Sequence, residues 1–179
     1  MEILTYFLIG GIAGFTAGLF GVGGGLIIVP ILYLVFQKQG YPIDNIMHLA
    51  LGTSLATILV TSISSILAHH KRNAVLWNVV KNLSFGLCIG SFLGAGIAGI
   101  LSGYILQILV GLFAMTIAYK MLTDKKVIVD ENRTLPSIKN QLGAGAVIGV
   151  ASAIFGIGGG SLTVPYLSRS GIVMQKAVA

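Results

Sequence analysis

Charge is what this chain most lacks: charged residues fill 9% of its 179 positions, and only five of them are acidic. A soluble domain needs far more charge on its surface, so that class is excluded. No acid, base or nucleophile set falls inside an apolar run, which argues against an intramembrane enzyme. Cysteine occurs once, as Cys88. It cannot form a disulfide within the chain, and a small buried residue is its expected role. A basic stripe interleaved with aromatics is missing, so nucleic acid is not an expected partner. No Gly-Lys-Ser/Thr follows the glycine clusters, and Leu26 stands where a dinucleotide fingerprint requires glycine. His69 and His70 lack further ligands at metal-binding spacing, so neither a cofactor nor a metal is expected.

Apolar residues make up 55% of the sequence and the mean hydropathy is strongly positive. Residues 3–36, 46–68, 83–101, 104–119 and 142–167 contain no Lys, Arg, Asp or Glu. Most match the ~20 residues that cross a bilayer as a helix. Period-2 alternation is absent, and a helix satisfies its own backbone in lipid. The expected fold is all-α: a polytopic helical membrane protein whose first partner is the lipid bilayer. Its basic residues sit between apolar runs, around His69-His70-Lys71-Arg72, Lys81 and residues 120–139, as orientation signals do. The expected location is the inner (plasma) membrane, with those loops cytoplasmic and Trp77 at an interface.

The plan of the chain is a glycine cluster written twice. Phe20-Gly21-Val22-Gly23-Gly24-Gly25-Leu26-Ile27-Ile28-Val29-Pro30 returns as Phe155-Gly156-Ile157-Gly158-Gly159-Gly160-Ser161-Leu162-Thr163-Val164-Pro165. Laid together without a gap, the copies also match at Gly10 and Gly145, Gly14 and Gly149, and Leu32 and Leu167. After a shorter second loop, Met47 and Ala50 match Met174 and Ala177. An internal repeat with Gly-interrupted helices follows: residues 1–123 as the first transmembrane copy, 124–141 as a cytoplasmic linker, and 142–179 as the start of a second copy. On equal copies, about 70 residues of the second are missing, and the chain is expected to be a fragment.

Within each copy the pattern sets up a helix break. Gly21, Gly23, Gly24 and Gly25 weaken a helix, and Pro30 removes a donor, as do Gly156, Gly158, Gly159, Gly160 and Pro165 in the second copy. Gly10, Gly14 and Gly18, and again Gly86, Gly90 and Gly94 with Gly96 and Gly99 nearby, give faces on which helices meet closely. Residues 46–68 carry a hydroxyl stripe at Ser54, Thr57, Thr61 and Ser65, which should face protein or water. Freed amides at a helix break can hold an anion without a full positive charge in lipid. The expected substrate-binding residues are therefore the cluster glycines, with Thr53, Ser54, Thr57, Ser161 and Thr163. The bland counterparts are glycine used for packing alone and hydroxyls bonded back to their own helix. His48 is read as interfacial, with proton coupling the minority role. One broken crossing for residues 3–36, which puts the N-terminus in the cytoplasm and makes the copies parallel, is favoured over a hairpin, which inverts them.

The doubled Gly-x-Gly-Gly-Gly with its Val-Pro, together with Gly52-Thr53-Ser54-Leu55, resembles the TauE/SafE sulfite exporter family, also called the toluene sulfonate uptake permease family. That resemblance implies a polytopic inner-membrane transporter of small sulfur-containing anions such as sulfite and organosulfonates, working by alternating access between two repeats. The absence of most of a second repeat departs from the family pattern and bears on autonomous transport. A non-transporting membrane scaffold or assembly factor is the alternative, and a homo-oligomer is compatible with either.

Overall fold

The computed structural model describes residues 7, 10–11, 13–15, 24–71, 75–123 and 137–170. Among them there are helices and short connections and no strand. Residues 10–11 and 13–15 are helical, and six helices follow: α1 Gly25–Lys38, α2 Ile43–Lys71, α3 Trp77–Ile100, α4 Gly103–Thr123, α5 Ile138–Phe155 and α6 Gly160–Arg169. Four of them, α2 to α5, are long and apolar enough to cross a membrane. Their outward faces are apolar too: Leu59, Phe92, Leu112 and Met115 are all exposed. Only a lipid solvent makes such a surface inexpensive.

Local chemistry explains the element ends. At the end of α1, Gly40 takes a left-handed φ of 79°, and Tyr41 N–H returns to the Phe36 carbonyl at 3.2 Å. Pro42 follows, so the helix stops and α2 starts afresh. The α1–α2 hairpin closes a core with α4 through Val29, Leu32, Met47, Ala50, Leu51, Leu106 and Val110. Phe113 stacks on Phe155 at 4.3 Å and ties α4 to α5.

The tightest packing joins α3 to α5, which run parallel. A Cβ added at Gly86 would fall on the Leu142 carbonyl oxygen, at Gly90 on that of Ala146, and at Gly94 within 2.6 Å of that of Val150. From the other side, a Cβ added at Gly145 would come within 2.5 Å of the Leu83 carbonyl oxygen, and one at Gly149 would fall on that of Leu87. Backbones this close gain dispersion along their whole length, which is how helices associate without a hydrophobic drive. Gly96 and Gly99 lie off this face, with open space around them. Cys88 is exposed, not buried as expected, because it sits between Gly86 and Gly90 in sequence and so on the opposite side of α3.

One boundary also shifts. Helix α5 begins at Ile138, so the last residues of the expected 124–141 linker are helical. Gln141 is buried there, and Asn82 Nδ2 donates to its Oε1 at 3.2 Å. A polar pair between two helices had the composition of a loop.

Candidate functional site

The second glycine cluster interrupts the chain between α5 and α6. Gly156, Gly158 and Gly159 have φ of 68°, 72° and 76°, a left-handed region that other residues enter only at a cost. Both prolines, by contrast, lie inside continuous helices. The interruption belongs to the glycines, and what proline does is free the carbonyl four residues earlier, on Leu26 in α1 and Ser161 in α6.

The start of α1 meets this break directly. A Cβ on Gly25 would fall on the Gly156 carbonyl oxygen and 2.6 Å from the Ile157 Cα, so only glycine allows the contact. The same Gly156 carbonyl accepts a 2.8 Å hydrogen bond from the buried Ser54 hydroxyl of α2. Leu51 and Val29 close over Gly156, and Ile58 covers Gly158. Ser54 lies about 16 Å along α2 from its start and about 26 Å from its end, at ~1.5 Å per residue. The meeting point is therefore well inside the bundle, away from either end.

From that point the two short helices run apart. Helix α1 ends beside the α3–α4 turn, with the Tyr33 hydroxyl donating to Gln107 Oε1 at 3.4 Å. Helix α6 ends at the opposite, basic end, with the Tyr166 hydroxyl donating to the Asn140 carbonyl at 3.4 Å and Leu167 packed on Val79. So α5 and α6 form a hairpin rather than one broken crossing. Residues 16–23 of the matching first stretch lie outside the described residues, so its own path is not described. The favoured single crossing is not what its second-copy counterpart does.

Both helices present their amino ends near the break. Ile27 and Ile28 N–H both bond the Gly24 carbonyl, and Leu162 and Thr163 N–H both bond that of Gly159. The amides of Gly25, Leu26, Gly160 and Ser161 precede those bonds and have no acceptor within their own helices. Each end carries the positive pole of a helix dipole. The Ser161 hydroxyl, in the first turn of α6, is buried and has no hydrogen-bond partner among the described residues.

The remaining expected residues divide. Gly21 and Gly23 lie outside the described residues. Gly24 and Gly159 cap α1 and α6, and Gly160 opens α6. Thr163 donates to the Gly159 carbonyl at 2.9 Å and Thr57 to the Ser54 carbonyl at 2.7 Å, so both bond back into their own helices. Thr61, Ser62 and Ser64 do likewise. Among the described residues, only the Ser54 end of the hydroxyl stripe is covered by protein; Thr57, Thr61 and Ser65 are exposed. Thr53 is half-buried beside Ser54. Sequence reasoning missed Leu51, Ile58 and Ser152, whose Oγ lies 3.6 Å from where a Gly159 Cβ would be. The one signal for Ser152 was a hydroxyl placed a single turn before the glycines.

Apolar helices long enough to span a bilayer, packed around an uncharged, glycine-lined interruption, define a polytopic helical membrane protein. The chain belongs to the sulfite exporter TauE/SafE family, whose model matches residues 6–179. It is 37% identical to a probable membrane transporter protein of Haemophilus influenzae, over 98% of this chain and 66% of that protein. A probable membrane transporter protein of Methanocaldococcus jannaschii is 32% identical over 96% of this chain and 64% of its own length. The Bacillus subtilis protein YunE, described in the same words, is 29% identical over 92% of this chain and 67% of its own. The chain thus spans about two thirds of the length of the curated relatives it matches. No solved structure matches it.

Proposed function

We propose that this chain forms part of a permeation path for small sulfur-containing anions, sulfite and organosulfonates, with the anion held where the two glycine clusters meet. The observation that carries this is the Ser161 hydroxyl, buried and without a partner at the amino end of α6. A buried hydroxyl left unbonded costs about 1–3 kcal/mol, which a bound oxyanion would relieve. The neighbouring amides and helix dipoles favour an anion without a lysine or arginine in lipid. Interrupted helices at corresponding positions of a repeat are a pointer to a substrate site near the midplane.

Alternating access would work between the two copies. Helices α1 and α6 begin at matching glycines and run to opposite ends, the relation expected of inverted copies. The basic end faces the cytoplasm of an inner membrane on this reading, and the protein performs no covalent chemistry.

Flux of labelled sulfite, thiosulfate, taurine and sulfoacetate into proteoliposomes tests the proposal. At least one anion should enter, and Ser161→Ala should cut its rate about tenfold, the equivalent of ~1.4 kcal/mol. An unchanged rate in Ser161→Ala would remove the site. No flux of any anion, with a stable partner on purification, would favour a scaffold or assembly factor.

A further inference from the structure

A second buried polar group lies on α2 outside this site. His48 Nε2 is 3.1 Å from the Ala98 carbonyl oxygen in the last turn of α3. A carbonyl only accepts, so Nε2 carries the hydrogen and, in the neutral ring, Nδ1 is an acceptor. That Nδ1 is buried and has no partner among the described residues. The Ile97 carbonyl already accepts from Leu101 N–H, which makes Ala98 the next carbonyl at the end of the helix. His48 thus serves as a side-chain cap on α3 and keeps one nitrogen in reserve.

Few other charges surround it. Asp44 lies one turn earlier on α2, with its backbone against Gly103, the first residue of α4. Titratable groups on the adjoining elements are Tyr33 and Lys38 on α1, Tyr41 in the loop after it, Lys81 and Cys88 on α3, and Tyr104, Tyr119 and Lys120 on α4. Between residues 46 and 68 of α2, His48 is the one side chain that can change charge near neutral pH.

We propose that His48 Nδ1 is the binding site of a proton that is taken up and released as α2 shifts against α3, and that this proton is coupled to movement of the anion. The coupling half rests on the permeation reading above. Proton arrival from water converts the ring to imidazolium, whose Nδ1–H has no acceptor in the present arrangement. A buried charged donor without a partner is costly, so protonation favours an arrangement in which α2 and α3 separate enough for water or another acceptor to reach it. Ser54 is on the same helix less than two turns away and holds the Gly156 carbonyl. A shift of α2 therefore reaches the glycine break directly.

His48→Gln tests this, because a carboxamide N–H can keep the bond to Ala98 but cannot titrate. In protein carrying 15N-histidine in liposomes, resonances lost in His48→Gln identify His48 among the three histidines of the chain. On acidification they should pass from the Nε2–H tautomer to the doubly protonated ring. A neutral ring throughout would overturn the proton site, whatever the transport result. With a pH dye inside the vesicles, an anion gradient should move protons in the wild type and at least tenfold fewer in His48→Gln, with the thermal midpoint of the variant kept. Equal proton movement in both proteins would overturn the coupling. If the wild type moves no anion at all, the permeation reading and the coupling fail together, while the proton site stands or falls on the titration alone.

Discussion

At the scale of single residues, Ser54 and the glycines around it show how an uncharged contact between helices can still be specified. The Ser54 hydroxyl is one of seven between Thr53 and Ser65, and spacing alone groups it with Thr57, Thr61 and Ser65. Burial separates them: Ser54 reaches Gly156 across the bundle, while Thr57 turns back on its own helix. Ser54→Ala should leave the Gly156 carbonyl short of its hydroxyl donor and cost about 1–3 kcal/mol, whereas Thr57→Ala should cost little. Thermal unfolding in detergent compares the two, and equal losses would deny Ser54 its special place. The histidines separate in the same way. His70 meets Trp77 edge to face at 5.7 Å at an exposed end, whereas His48 is buried at one nitrogen.

At the scale of helices, what was legible followed from composition and spacing, and what was hidden depended on neighbours. Charge-free runs located α2, α3 and α4, and the four-residue glycine spacing on α3 marked the face that α5 covers. The same spacing argument extended that face to Gly96 and Gly99, which lie in open space. Periodicity alone cannot say where a partner helix ends. This gives a sharp contrast. Gly90→Ala would drive a methyl onto the Ala146 carbonyl and should destabilise by about 1–3 kcal/mol or more through forced separation of α3 and α5. Gly96→Ala should be neutral or add up to about 1 kcal/mol, since alanine is the better helix former and nothing opposes its methyl. Paired denaturation curves in detergent would settle it, and two variants of equal stability would contradict the packing described. The polar start of α5 was hidden for a related reason: Gln141 looks like linker until Asn82 is placed beside it.

At the scale of the whole molecule, the direction of the short helices decides the architecture. The doubled glycine cluster predicted a break in residues 3–36 and in 142–167, but a run that continues and a run that returns have the same composition. Contacts distinguish them: Leu167 reaches Val79 at the basic end, while Tyr33 reaches Gln107 near the opposite end. Accessibility to a membrane-impermeant maleimide tests this in a Cys88→Ser background, which removes the one native thiol. Cysteines at His70, Ser137 and Ser170 should label from one side of sealed vesicles, and cysteines at Lys38 and Ser102 from the other. The decisive position is Ser170, just past the end of α6. If α5 and α6 made one broken crossing, Ser170→Cys would label with Lys38→Cys. Labelling with His70→Cys instead would establish that helices beginning at matching glycines run toward opposite faces.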